Sequence, residues 1–128
     1  MDKFTEAYIV AALWSTNDES TPGGGVPLDD NYTIADIHPD TLAVMQEDCQ
    51  KFQNLNVVAI ELGHDETKST CTRDMNAGHD FWLNRNGHGC GFWDGDWKEP
   101  YATELDQASR NYGEFNLLVG DDGKIHKL

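Results

Sequence analysis

Residues 78–97, GHDFWLNRNGHGCGFWDGDW, constrain the fold more than any other part of this 128-residue chain. They hold three of its four tryptophans, two of its five histidines and five of its twelve glycines, grouped around Asn86-Gly87. An ordinary core strand needs no such mixture. Aromatics, glycines and polar groups side by side demand either an unusual backbone path or a surface that recognises a partner. Asn-Gly flanked by apolar residues is a strong hairpin signal, so the sequence predicts strands at 79–85 and 88–94 joined by a type I′ turn.

In that register His79 faces Asp94, Phe81 faces Phe92, Leu83 faces Cys90 and Arg85 faces His88, with the apolar middle marking the core side. The other side sets Trp82 across from Gly91, Asn84 across from Gly89 and Asp80 beside Trp93. A strand glycine opposite a large side chain makes room for it. Either helices cover this second face and its tryptophans are core, or Asp80, Trp82, Asn84 and Trp93 form a recognition surface of the kind aromatic residues favour. His79 and Asp94 form either an ordinary hydrogen-bonded pair or an acid–base pair.

Elsewhere the apolar spacing is helical. Residues 4–14 read as a first helix capped by Asp2 or Thr5, and 39–54 as a second carrying Leu42, Met45, Cys49 and Phe52 on one stripe. A third, 99–112, has Pro100 near its start, with Tyr101, Leu105, Ala108 and Tyr112 on its buried side and Gly113 as its stop. Residues 57–62, VVAIEL, are ambiguous between strand and helix. The polar segment 15–36, with its triple glycine, reads as a mobile loop, and 63–77 as another loop. FNLLV and KIHKL around the GDDG turn close the chain as a second hairpin. The expected fold is one α+β domain over 1–128, with a small, mostly antiparallel sheet of two β-hairpins packed against about three helices.

Charge limits the function. Twenty-three acids against nine bases give a net charge of −14, which repels phosphates, so direct nucleic-acid binding is not expected. No apolar run is long enough for a membrane span. The segment MDKFTEAYIVAALWS carries Asp2 and Glu6 and lacks a basic lead, which argues against a secretory signal. Three widely spaced cysteines, Cys49, Cys71 and Cys90, suit reduced thiols in a cytosolic protein.

Solubility alone needs a net charge of only roughly 2–8; adaptation to high salt and imitation of a polyanion are the other readings. A compact chain of this length is about 36 Å across, and duplex DNA of that length carries roughly 21 phosphates. Mimicry therefore requires the acids to gather on one face. Asp29, Asp30, Asp94, Asp96, Asp121 and Asp122 are candidates for such a surface, and solvated turns explain them equally well.

Enzyme signatures such as GxSxG, HExxH and the phosphate-binding GxxxxGK[ST] loop are missing. His79, Asp80, His88, Cys90 and Asp94 contain enough donors for a zinc-like site, but their spacing matches no compact zinc pattern, so neither metal nor cofactor is expected. The hairpin-then-helix order suggests a His-Asn-His nuclease, yet the helix lacks a well-placed ligand and no basic groove exists. Cys90, between two glycines, suits a tight strand better than a nucleophile.

The motif GHDFWLNRNGHGCGFWD, with the acidic helix after it, the LLVGDDGKI ending and the FTEAYIVAALW opening, resembles a family of small proteins of tailed bacteriophages. The resemblance implies expression in a bacterial cytoplasm, with host or phage machinery as partners, and carries over no site residue. The resulting expectation is a non-catalytic acidic accessory protein that binds a host or phage protein with a basic surface. It would inhibit a nucleic-acid-binding or defence factor, using Asp80, Trp82, Asn84, Trp93, Asp94 and Asp96. The rival is a small enzyme or a ligand- or metal-binding protein with its chemistry at His79, Asp80, His88 and Asp94. Three of those four converging in a pocket would favour the rival.

Overall fold

Helix starts in this chain are set locally. Asp2 accepts the Thr5 N–H at 2.8 Å and opens α1 (Lys3–Ser15), satisfying one of the free donors that every helix N-terminus leaves. His38 Nδ1 accepts the Asp40 N–H at 3.2 Å ahead of α2 (Pro39–Leu55). Pro39 takes the first helical position, where its missing N–H costs nothing. Thr41, Met45, Cys49 and Phe52 form the buried stripe of α2.

The computed structural model describes residues 1–20 and 22–128. Thr21, within the segment expected to be mobile, lies outside the described residues. The remainder of that segment carries defined elements. β1 (Asn17–Asp18) pairs antiparallel with β2 (Val26–Pro27), and two 3-10 turns follow at Leu28–Asp30 and Ile34–Asp36. Leu28 is sealed into the core and anchors the first of these turns.

The ambiguous VVAIEL segment is helical: α3 (Val57–Gly63) continues from α2 after Asn56, whose side chain and backbone nitrogens both donate to the Phe52 carbonyl. The largest correction concerns the centre of the chain. Residues expected to be a loop and a strand form α4 (Arg73–Arg85), and 88–94 form no strand at all. None of the cross-strand pairs of the expected hairpin exists. Asn84, rather than Trp82, is what meets Gly91.

Two physical reasons account for the helix. Ala77, Phe81 and Arg85 are buried with Gly78 and Trp82, a spacing of four that suits a helix and not a strand. The Asn-Gly signal was real but belonged to a different structure. Asn86 caps the C-terminus of α4, and Gly87 follows at φ +66°. A left-handed glycine ends helices as readily as it turns hairpins.

Gly78 lets α4 lie directly on α1: a Cβ there would fall 2.0 Å from the Phe4 carbonyl oxygen. Around this seam Phe52 stacks on Phe81 with ring centroids 4.1 Å apart, and Tyr8 meets Trp82 edge-on at 5.2 Å. Trp82 is 1% exposed, and its indole N–H donates to Ser15 Oγ at 2.8 Å. Arg85 is buried in the same core. Its guanidinium donates to Asp48, the Tyr8 hydroxyl and the carbonyls of Tyr112 and Gly113.

The last helix, α5 (Tyr101–Arg110), buries Ala102, Leu105 and Ser109. The closing hairpin forms where expected, from β3 (Leu117–Val119) and β4 (Ile125–Lys127) with Leu118 opposite His126. It is stitched to the start of α2, because His38 N–H donates to the Ile125 carbonyl and Lys127 N–H to Thr41 Oγ1. Among the described residues the architecture is thus a small α+β fold of five α-helices with two separate two-stranded antiparallel sheets. No helix among the described residues is long and apolar enough to cross a membrane.

Candidate cation and ligand site

Residues four apart share a face of a helix, and α4 uses this to build one wall of a pocket. Asn76 and Asp80 form one such pair, and Met75 and His79 the next. The facing wall comes from α1 through Lys3, Glu6, Ala7 and Val10. Residues 68–71 close one side, and Asp94 and Asp96 descend from the 86–98 loop. The cavity measures about 650 Å³.

Three carboxylates converge in it. Asp80, Asp94 and Asp96 each present an oxygen, all within 4.8 Å of one another. Asp80 is 3% exposed, and its Oδ2 accepts the Trp97 indole N–H at 2.8 Å while Oδ1 lies 3.5 Å from His79 Nδ1. Trp97 is itself fixed. It bridges to His64 across backbones, packs against that imidazole at 5.1 Å and is followed by Lys98, whose N–H donates to the Gly63 carbonyl at 2.7 Å. The Asp96 carbonyl accepts from the Asp65 N–H at 2.9 Å, and Asp94 Oδ2 accepts from the Gly91 N–H at 3.3 Å. At the start of the loop the His88 N–H donates to the Leu83 carbonyl at 3.1 Å, so the 86–98 loop is held at both ends by backbone hydrogen bonds.

Burial and a neighbouring like charge each raise a carboxylate's proton affinity. Partial burial pushes the Asp94 carboxyl above its ordinary value, and the charges of Asp80 and Asp96 push it further. The backbone N–H of Gly91 and the imidazole of His79 pull the other way without reversing it. Oxygen-only donors of this kind suit hard cations such as Mg²⁺, Ca²⁺ or Mn²⁺ rather than zinc. On the same wall Asn76 is 5% exposed, and its amide nitrogen has no hydrogen-bond partner among the described residues. That nitrogen is sealed beneath the wall, out of reach of a ligand in the pocket, so it is a local cost to the fold rather than a donor of the site.

The expected site residues divide cleanly. His79, Asp80 and Asp94, three of the four assigned to the rival reading, meet in the pocket together with Asp96. His88 is exposed and off its wall, as is Trp93 at 52% exposure. Trp82 is core, which corrects its assignment to a recognition surface. Asn84 is a buried brace, corrected likewise: its amide donates to Asp106 and accepts the Phe92 N–H at 3.1 Å. Burial and the neighbouring Asp94 and Asp80 charges push the Cys90 thiol up, away from the thiolate a nucleophile needs. Asp29 and Asp30 sit on one exposed turn and Asp121 and Asp122 on another. The residues overlooked were Asn76, Lys3, Lys68, Val10 and Met75. Only a helix through 73–85 would have paired Asn76 with Asp80.

Comparison with known protein families, curated proteins and solved structures finds no match for this chain.

The carboxylate cluster implies a trade of stability for function at Asp94. A carboxyl whose pKa is raised in the folded state stabilises the fold while protonated and loses that contribution as pH rises through the raised value. At neutral pH the ionised group is thus a burden. Asp94→Asn is expected to melt higher than the wild type in chelator, with the gap closing as pH falls into the carboxylate range. Thermal melts in chelator across a pH series measure this; a variant that melts lower at neutral pH would show that the three charges do not repel.

Proposed function

We propose that this protein binds a divalent cation, held by Asp80, Asp94 and Asp96 on the wall of the α1–α4 pocket. The observation that supports this is the convergence of three carboxylate oxygens within 4.8 Å around a buried Asp80 that Trp97 holds in place. Uncompensated, such a cluster is costly; a hard cation with oxygen ligands removes the cost. His79 stands beside it as a proton carrier or as a hydrogen-bond partner to Asp80.

Thermal stability tests the proposal. A ligand at about a hundred times its Kd stabilises the folded state by about 2.7 kcal/mol. For a chain of this length that is on the order of 10 °C in Tm. Mg²⁺, Ca²⁺ or Mn²⁺ at millimolar concentration is expected to produce a rise of this order in the wild type and none in Asp96→Asn. If no divalent ion moves the wild-type Tm, the proposal fails.

A second reading keeps the acidic surface as the working part. In it, a phage accessory protein docks on a basic host protein, a nucleic-acid-binding or defence factor, and blocks it. Trp93 supports this reading, being half exposed and adjacent in sequence to Asp94. Trp82 no longer does. The two readings separate in the same melts, because a polyanion mimic requires no bound ion.

A further inference from the structure

We infer that the groove between α1 and α4 seats a basic amphipathic helix of a partner protein. The partner's apolar face packs on Ala7, Val10, Met75 and Trp14 while an arginine reaches Asp94 and Asp96. This goes beyond the cation reading and does not rest on it; from the docking reading it keeps only the basic partner.

The outer face of α1 is the first observation. The helix buries Phe4, Tyr8, Ile9, Ala11, Ala12 and Leu13. A surface helix with one such face is normally polar on the other. Beyond Lys3 and Glu6, however, the outer side of α1 carries Ala7, Val10 and Trp14, spaced three and four apart and so in one stripe. Val10 is 58% exposed, Met75 42% and Trp14 41%. They are continuous: Ala7, Val10, Met75 and His79 line one cavity, and the Trp14 ring packs on that of His79 with centroids 5.7 Å apart. Single exposed apolar side chains are ordinary, but a continuous strip marks a contact surface.

Charge and backbone chemistry select the occupant. Glu6, Asp80, Asp94 and Asp96 outnumber Lys3 and Lys68 along the groove. A second copy of this chain would bring the same carboxylates against them, at a net charge of −14 on each copy, and like charges juxtaposed at an interface are costly. A basic partner has the complementary sign. Asp94 is exposed and Asp96 half-buried, with oxygens within 4.8 Å of each other, so the fork of a single guanidinium can serve both. The two long walls are helices, whose backbone groups bond internally. They offer no sheet edge to an extended chain, so the occupant must satisfy its own backbone, as a helix does.

Fluorescence anisotropy with the full chain in chelator tests the inference. The probe is a labelled alanine-based helix of about 18 residues, with leucines three and four apart on one face and arginines beside them. One control peptide replaces the leucines by glutamine, and another replaces the arginines. The probe is expected to bind at least about tenfold more tightly than either control. Val10→Gln combined with Met75→Gln should weaken it at least about tenfold, and Asp94→Asn about fivefold. Leu55→Gln, at an exposed apolar position outside the groove, should leave binding unchanged. All of these protein positions are exposed, and circular dichroism checks that each variant folds. Equal binding of the leucine-free peptide would mean that the acids collect positive charge without the groove, which overturns the inference. Equal binding of the arginine-free peptide overturns the basic partner, and no binding of the probe overturns the whole. Sedimentation showing self-association that Val10→Gln with Met75→Gln abolishes would assign the groove to a second copy instead. Melts with divalent ions decide the cation reading separately, and neither result stands in for the other.

Discussion

Gly78→Ala is expected to cost at least about 4 kcal/mol of folding stability. At an exposed helix position the same change would gain about 1 kcal/mol, because glycine is the poorer helix former. Here the added methyl would lie 2.0 Å from the Phe4 carbonyl oxygen and 2.8 Å from its carbon. Both are backbone atoms of α1, so no side-chain rotation relieves the clash. The helices must separate, and the separation opens the packing among Phe4, Tyr8, Phe81 and Trp82. A chain of this length has a total stability of about 6–19 kcal/mol, so the loss is a large share of it. Urea denaturation followed by far-UV circular dichroism measures it. A variant within about 1 kcal/mol of the wild type would mean that α1 and α4 are not in backbone contact.

The second large effect is expected at Arg85. Its Nε donates to Gly113 O at 2.8 Å, Nη2 to Tyr112 O at 3.1 Å, and Nη1 to both Tyr8 Oη at 3.0 Å and Asp48 Oδ2 at 2.9 Å. The guanidinium carbon also lies 5.2–5.4 Å from the ring centres of Phe81, Tyr112 and Phe115. Removing one partner of a buried ion pair costs about 3–5 kcal/mol, since the other charge stays behind unpaired. Arg85→Ala is expected to lose that much in the same denaturation experiment. Arg85→Lys should recover only part of it, because an ammonium cannot reach four acceptors lying in a guanidinium's plane. Recovery to the wild-type midpoint by lysine would show that charge matters and the fork does not.

Periodicity made α1, α2 and α5 legible, because each carries an apolar stripe that only a helix can bury on one side. The closing hairpin was legible from its turn residues. The central helix is hidden for a specific reason: Asn86-Gly87 signals a turn between strands, while Ala77, Phe81 and Arg85 follow helical spacing. Local sequence contained both signals, and burial against α1 decided between them. The candidate site suffered in consequence. Asp80, Asp94 and Asp96 were named from chemistry alone, while Asn76 and the α1 wall stayed invisible without the helix. The path of 86–98 has no local code. It is drawn by bonds between residues far apart in sequence, from Asn84 to Phe92 and Asp106 and from His64 to Trp97.

The anchored 86–98 loop has a kinetic consequence. Backbone hydrogen bonds at Gly63 and Asp65 and the indole bond to Asp80 already fix the segment that carries Asp94 and Asp96. If the proposed cation binds here, its capture requires no lid closure and little loss of chain entropy, which are the usual costs of assembling a site on a loop. Exchange of the ion should then be governed by how fast its own hydration shell is shed, leaving the pocket open to rapid loading and release as the surrounding concentration changes.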